Sequence, residues 1–115
     1  MRSENLSKAA GDALESADRV LVSAITLWEV AMLMEKRRIP IDRRVRDFLE
    51  HALAAGRKEV VPITVAIAAR SAELGPGVHG DPADRLIAAT ALELSLPLVT
   101  RDQRLARVPG LQVVW

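Results

Sequence analysis

The chain has 115 residues, half of them hydrophobic and 27% charged, which is an ordinary composition for one globular domain with a single core. Sixteen lysines and arginines against fifteen acidic residues give a net charge of +1, so the protein does not coat nucleic acid by bulk charge. It contains no cysteine, which excludes disulfides and thiolate metal sites, and no apolar run is long enough to span a membrane. These features predict one cytoplasmic domain over residues 1–115.

Helices and short strands are predicted to alternate along the chain. Ser7, Thr64 and Asp81 each stand where a helix cap is expected. The apolar runs between helices have the length of buried strands, although Pro62 lacks an amide donor and indicates a sheet edge or a strand end. The predicted order is helix 7–17, strand 19–22, helix 24–36, helix 42–54, strand 59–63, helix 64–74, helix 81–94, strand 98–100 and strand 111–115. This alternation predicts an α/β fold with a mainly parallel sheet.

The predicted helix over residues 24–36 is apolar on nearly all sides. Its first eleven residues read AITLWEVAMLM, in which only Thr26 and Glu29 are polar. Such a helix needs cover on both faces, either as a central core helix or against a partner chain. The two explanations fit the sequence equally well, and Met32 and Met34 suit an adaptable protein-binding surface.

Two of the carboxylates that draw attention also have structural explanations. Glu29 lies in the apolar helix, where a buried carboxylate needs a metal, an arginine or backbone donors as its partner. Taken alone, it is explained more simply by a structural ion pair. Asp81 precedes Pro82, an arrangement that is typical of a capped helix start.

Two further aspartates are predicted to lie at the rim of the sheet. The helix dipole favours Asp84 in the first turn, but it also shares a face with Ile87, which predicts that it points into a cleft. Asp102 follows the strand 98–100 at its carboxyl end, where α/β sheets bind ligands, although it also fits a turn or cap residue. With Glu29 they come from three separate βα corners. Carboxylates that converge without histidine or cysteine suit Mg²⁺ or Mn²⁺, which serve phosphate chemistry.

Four segments together resemble a PIN domain, in particular the VapC-type toxins of bacterial toxin–antitoxin pairs. They are VSAITLWEVAML at 22–33, HGDPADRLIAATALE at 79–93, LVTRD at 98–102 and LQVVW at 111–115. The resemblance implies a three-layer α/β/α sandwich and a Mg²⁺- or Mn²⁺-dependent endoribonuclease, often a homodimer, which a cognate antitoxin inhibits. On this resemblance the catalytic and metal-binding acids are Glu29, Asp84 and Asp102. Asp81 is a secondary neighbour, and Thr100 helps to orient a ligand or water.

One element of the family pattern has no counterpart in the sequence. PIN domains open with a strand that carries an aspartate and lies at the centre of the sheet. Neither Asp12 nor Asp18 follows an apolar strand, so neither replaces it. We therefore expect the N-terminal strand and one metal ligand to be missing, and strand edges to be left unpaired. A start site assigned too far downstream is the favoured explanation; a truncated form and a decayed gene are the alternatives.

Arginines close in sequence to the predicted acids are candidates for contacts with the RNA backbone. They are Arg85, Arg101 and Arg104, for which a solvated face is an equally good explanation. A second group is better explained as solvated surface: Arg37, Arg38, Arg43, Arg44 and Arg46. The main alternative function is a catalytically impaired, PIN-like binding module. A phospho-accepting receiver domain fits poorly, because it requires early acidic residues and a lysine where Arg101 stands.

Overall fold

The computed structural model describes residues 6–36, 43–78 and 80–115, which form five α-helices and four short strands in the order α-β-α-α-β-α-α-β-β. The helices are α1 (Lys8–Ser16), α2 (Ala24–Glu35), α3 (Val45–Ala54), α4 (Val65–Ala72) and α5 (Pro82–Leu94), and a 3₁₀ turn covers Leu105–Arg107. The strands are β1 (Val20–Ser23), β2 (Lys58–Val61), β3 (Leu98–Val99) and β4 (Val113–Val114). In these ranges no helix has the length and apolar character needed to cross a membrane.

Side-chain caps begin most of the helices where the sequence predicts them. The hydroxyl oxygens of Ser7, Ser23 and Thr64 accept hydrogen bonds from first-turn amides at 3.0, 3.4 and 3.2 Å. The third helix is different. Its predicted start at Asp42 lies outside the described residues, and α3 begins after Arg44, which makes no side-chain cap.

The strands form two separate parallel pairs. β1 pairs with β2 over four residues, and β3 pairs with β4 over two. The predicted strand 59–63 ends at Val61, since Pro62 has no amide to continue the ladder. The parallel α/β arrangement is thus confirmed. In the described part of the chain, however, β1 and β3 are not hydrogen-bonded to each other, so each keeps one edge without a strand partner.

The best-buried core lies between α5 and the β3–β4 pair. Its cluster consists of Ala88, Ala91, Leu105, Val108 and Leu111, each at most 9% exposed. The alanines of α5 allow close approach, and α4 packs along the same helix. Burial of one leucine side chain in such a cluster contributes about 2 kcal/mol. The core therefore packs the middle of α5 against the segment that follows β3, with Leu98 of β3 at its edge.

Helix α2 is only partly covered. Met34 is buried, but Trp28 is 56% exposed and Leu33 is 38% exposed. One side of α2 contacts α5, α3 and β1. The described residues therefore leave its other side open, which favours a partner-binding surface over a central core helix.

Candidate active site

A cavity of about 450 Å³ opens between strands β1 and β3 and helices α2 and α5. Its walls are mainly apolar, with residues such as Ile87 on the α5 side. Two carboxylates line it, Glu29 from α2 and Asp84 from α5, together with the hydroxyls of Thr26 and Thr100. Asp84 therefore points into a cleft, as its helix position predicts. The structure brings together two acids that are 55 positions apart in the sequence.

The electrostatic environment of Glu29 is unfavourable to its charged form. Burial raises the pKa of Glu29 above its ordinary value of 4.5, and the negative charges of Asp84 and Asp81 raise it further. Within the described ranges no cation pairs with this carboxylate, so the structural ion pair that the sequence favoured is not formed there. A carboxylate held near like charges in a partly apolar wall is stabilised by a bound cation.

Asp81 caps α5. Its Oδ1 accepts a hydrogen bond from the Asp84 amide at 3.1 Å, and Pro82 occupies the start of the helix, where a missing amide is harmless. The capping prediction is confirmed. Asp81 is exposed and lies with Glu29 and Trp28 along a shallow groove outside the main cavity. Its capping role explains its position without any metal.

Asp102 lies at the carboxyl end of β3, with its carboxylate held by Arg104. Its Oδ1 accepts from the Arg104 amide at 2.9 Å and from Nε at 3.1 Å, and its Oδ2 accepts from Nη2 at 3.0 Å. The Thr100 hydroxyl accepts from the Asp102 amide at 3.1 Å. The hydrogen bond and charge of Asp102 raise the pKa of Arg104, with smaller effects from Asp84 and Asp81. Asp102 thus caps the following turn, and its partner Arg104 is within reach of the charges of Asp84 and Asp81.

The acids have the chemistry for Mg²⁺ or Mn²⁺ but do not form a ready three-ligand cluster. In the ranges that the structure describes, no group of three or more His, Cys, Asp or Glu side chains is placed to hold a metal ion. Mg²⁺ is nevertheless commonly bound through one or two carboxylates plus water and substrate phosphate. Glu29 and Asp84 supply such a pair. The donor set therefore fits the ion through this pair, and the assignment of Asp102 as a ligand stays a prediction.

Arg85 has a structural role that the sequence does not reveal. It is half-buried, and its Nε and Nη1 donate to the carbonyl oxygens of Ser71 and Val78 at 3.1 and 3.2 Å. These bonds tie α5 to the end of α4 and to the loop that follows. The geometry does not favour the predicted contact of Arg85 with RNA. Arg101 and Arg104 are exposed, and Arg104 pairs with Asp102.

The more distant arginines lie on a solvated face. Arg44 and Arg46 each pair with an acid one turn further along α3, and both pairs are exposed. Arg43 is exposed as well. Arg37, Arg38 and the motif residue His79 lie outside the described residues. The structure thus supports the solvated-surface explanation where it describes this group.

Three hydroxyl residues that line the cavity are not among the site residues predicted from the sequence: Ser23, Thr26 and Thr90. The Thr90 hydroxyl donates to the Leu86 carbonyl of its own helix at 2.7 Å. Ser23, at 8% exposure, lines the cavity and also caps α2. Thr26 lines it one turn before Glu29. The sequence signal for Thr26 is its spacing from Glu29, because positions i and i+3 share one helix face and these are the only polar residues in the first eleven positions of α2.

The sequence and the α/β fold are similar to those of known proteins. Residues 1–111 match the family described as PIN domain, so the chain belongs to the PIN-domain family. It is also 42% identical over 114 residues to Ribonuclease VapC22 from Mycobacterium tuberculosis (strain ATCC 25618 / H37Rv). That match covers 97% of this chain and 86% of the relative. The resemblance to VapC-type PIN domains is therefore confirmed.

A solved structure supports the same fold. The chain is similar to a chain in the crystal structure of VapBC2 from Rickettsia felis bound to a DNA fragment from their promoter, with a TM-score of 0.67 and 20% identity. The similarity covers 89% of this chain and 78% of the other. At this identity it is evidence for the fold alone, and it agrees with the predicted PIN-like α/β sandwich.

Proposed function

We propose that this chain is a Mg²⁺- or Mn²⁺-dependent endoribonuclease that acts as a toxin and is neutralised by a cognate antitoxin protein. The observation that carries the proposal is the 42% identity to Ribonuclease VapC22 along 97% of the chain. The shared cavity of Glu29 and Asp84 supports it, because paired carboxylates are the ligands that these hard cations prefer. A cytoplasmic location, which the absence of cysteine predicts, is part of the same proposal.

The side chains of the cavity have separable roles in this proposal. Glu29 and Asp84 hold the cation, and Asp102 is the third proposed ligand. A cation of this class activates water and neutralises the charge that develops on the phosphate. The Thr100 hydroxyl orients a water or a phosphate oxygen at the cavity wall. Arg104 lies exposed beside the acids, where its guanidinium can pair with the RNA backbone.

The test is cleavage of a defined RNA pool by the full chain with Mg²⁺, with Mn²⁺ and with EDTA. We expect activity only with a cation, and we expect Asp84→Asn to abolish it. Asp12→Asn is the matched control, because Asp12 is exposed on α1 and its one ion pair among the described residues is with Lys8. Cleavage that survives both EDTA and Asp84→Asn would contradict the proposal.

The exposed face of α2 is the proposed binding surface for the antitoxin. Trp28 is 56% exposed, and with Ile25 and Pro82 it lines a mainly apolar groove. Exposed tryptophans of this kind are typical anchors of protein interfaces. We also propose a homodimer, which the family resemblance implies. Sedimentation of the chain alone tests it. We expect Trp28→Ala to weaken antitoxin binding more than tenfold, while Val65→Ala on α4, 89% exposed, leaves it unchanged.

A catalytically impaired PIN-like binding module is the second candidate. The split sheet and the lack of a three-carboxylate group within the described ranges favour it. A chain that binds RNA and Mn²⁺ with good affinity but cuts no RNA would support this candidate over the nuclease.

A further inference from the structure

A second, smaller pocket lies beside the turn that follows β3. It encloses about 220 Å³ and is lined by Gly77, Val78, Arg104, Arg107 and Val108. None of these described residues is acidic, and none of them lines the main cavity. The pocket is therefore a separate site whose described walls carry two guanidinium groups and no carboxylate.

The spacing of residues 104–108, RLARV, places both arginines on one face of the turn. The amides of Arg107 and Val108 donate to the carbonyls of Arg104 and Leu105 at 3.3 and 3.1 Å, as in a 3₁₀ helix. Side chains three positions apart eclipse one another in this geometry, so Arg104 and Arg107 project together. Leu105 and Val108, which are 3% and 4% exposed, belong to the core cluster. The core thus fixes the backbone that carries the two arginines.

Asp102 fixes the orientation of the Arg104 guanidinium. Nε and Nη2 of Arg104 donate to the carboxylate at 3.1 and 3.0 Å, which uses two of the five N–H groups of an arginine. The three other N–H groups have no protein acceptor in the described part of the chain. A guanidinium presents such groups in a rigid fork that matches the oxygens of a phosphate.

Arg107 adds a positive charge that the protein does not compensate. Its side chain is exposed and makes no hydrogen bond or ion pair with the residues that the structure describes. Asp102 balances the charge of Arg104, so one positive charge is left at the pocket. Each phosphate of a nucleic-acid backbone carries one negative charge, which this excess matches.

The opposite wall of the pocket is formed by the loop after α4. The Val78 amide donates to the Gly75 carbonyl at 3.3 Å, and the Val78 carbonyl accepts from Nη1 of Arg85 at 3.2 Å, so this loop is held in place. A Cβ atom at Gly77 would meet no atom within 4 Å. The space at Gly77 is therefore open to a ligand, and a side chain can be placed there without a clash.

The pocket is linked to the proposed cation site through Asp102. The Asp102 amide donates to the hydroxyl of Thr100, which lines the main cavity, and the Asp102 carboxylate holds Arg104. We infer that the pocket between Arg104, Arg107 and Gly77 is a subsite for one phosphate of the RNA backbone, other than the phosphate that is cleaved. The inference rests on the proposed function for the identity of its ligand. Contacts of this kind set the position of a strand without reading its sequence.

The test measures binding of a short, labelled, single-stranded RNA to the full chain in EDTA, where cation-dependent cleavage does not interfere. Fluorescence anisotropy at several salt concentrations gives the affinity and its salt dependence. Arg107→Ala removes one guanidinium from the pocket, and Arg43→Ala is the matched control at an exposed arginine on the solvated face. Gly77→Glu places a carboxylate in the pocket, and Gly77→Gln places a neutral side chain of the same size there. Thermal unfolding of every variant should give the parent Tm, because all three positions are exposed.

We expect Arg107→Ala to reduce the slope of log affinity against log salt concentration by about 0.7, the value for one phosphate contact with a single strand. Gly77→Glu should weaken RNA binding more than about fivefold, because its carboxylate repels the phosphate. Arg43→Ala and Gly77→Gln should bind RNA as the parent does. Equal effects of Arg107→Ala and Arg43→Ala, or of the two Gly77 variants, would overturn the inference.

Inorganic phosphate separates a bound RNA from a free anion. We expect it to shift the Arg107 Nε–H resonance in NMR spectra of the parent and of Gly77→Gln, but not of Gly77→Glu. An oligonucleotide with an uncharged methylphosphonate backbone should not shift it. Binding of inorganic phosphate together with an RNA affinity that ignores Arg107→Ala would make a free anion the occupant and overturn the RNA subsite.

The subsite and the nuclease proposal fail in different ways. A chain that loses RNA affinity in Arg107→Ala but cuts no RNA keeps the subsite and contradicts the nuclease. A chain that cuts RNA with Mg²⁺ but whose RNA affinity does not respond to Arg107→Ala contradicts the subsite alone.

Discussion

Substitution of Asp81 separates helix capping from metal binding in this site. Asp81→Ala removes the hydrogen bond from the Asp84 amide, and loss of an N-cap costs about 1 kcal/mol of folding free energy, within a range of roughly 0.5–2. Asp81→Asn keeps an acceptor oxygen and loses only the charge, which is worth about 0.3–1 kcal/mol at a helix start. Part of that loss is offset, because the charge of Asp81 also raises the pKa of Glu29. We therefore expect Asp81→Ala to lower Tm by roughly 3–6 °C and Asp81→Asn to change it much less.

Two assays decide between the roles of Asp81. Urea denaturation gives the free energy of unfolding of each variant, and calorimetric titration with Mn²⁺ gives the affinity, with Asp84→Asn as the reference for a lost ligand. If capping is the whole role, both Asp81 variants bind Mn²⁺ as the parent does. Equal destabilisation by Asn and Ala would refute the capping argument. A loss of Mn²⁺ affinity in Asp81→Asn as large as that in Asp84→Asn would make Asp81 a ligand.

Three further predictions concern neighbouring side chains. The pKa of Glu29 is raised in the folded chain, so its ionisation lowers the free energy of unfolding as pH rises above the unfolded pKa, near 4.5. Glu29→Gln should therefore stabilise the cation-free chain at pH 7 and lose that advantage at pH 4. A difference in unfolding free energy that is the same at both pH values in urea denaturation would contradict this. Arg104→Ala should remove the two guanidinium hydrogen bonds to the Asp102 carboxylate and the nearby positive charge, which strengthens Mn²⁺ binding and lowers the salt dependence of RNA binding by about one ion. Weaker Mn²⁺ binding in this variant would contradict the prediction. Arg85→Ala should lower the free energy of unfolding by about 2 kcal/mol, because it removes two hydrogen bonds to carbonyl oxygens, and should leave RNA affinity unchanged. Arg101→Ala, at an exposed arginine, is the control. Lost RNA affinity of Arg85→Ala at unchanged stability would place Arg85 on the RNA surface.

Local features of the fold are predictable from the sequence because they depend on neighbouring residues. The cap of Asp81 on α5 follows from the pair Asp-Pro and needs nothing from the rest of the chain. The end of β2 before Pro62 follows from a missing amide. The cleft-facing position of Asp84 follows from helical periodicity, since it shares a face with Ile87, and both line the cavity.

Features that depend on distant contacts are not predictable in this way. Arg85 lies one position from Asp84, yet its guanidinium turns to the Ser71 and Val78 carbonyls, because the packing of α4 on α5 places those acceptors within reach. Asp102 and Arg104 are close in sequence, but their bidentate pairing depends on the turn after β3. The separation of the strands into two pairs also required the three-dimensional arrangement, although the resemblance to PIN domains predicted unpaired edges.

The arrangement of Glu29 and Asp84 is more informative about function than the identity of either residue. A half-buried carboxylate beside two like charges destabilises the cation-free fold, and the raised pKa of Glu29 is the direct expression of that cost. Asp81 is accounted for by its cap and Asp102 in part by its turn, but no cap, turn or ion pair in the described ranges accounts for Glu29. Unfavourable charge placement of this kind is concentrated at functional sites. A divalent cation would reverse it, since the same proximity that raises the pKa of Glu29 would strengthen binding of the ion, and so Glu29 is the residue whose stability effect should change sign when Mg²⁺ is added.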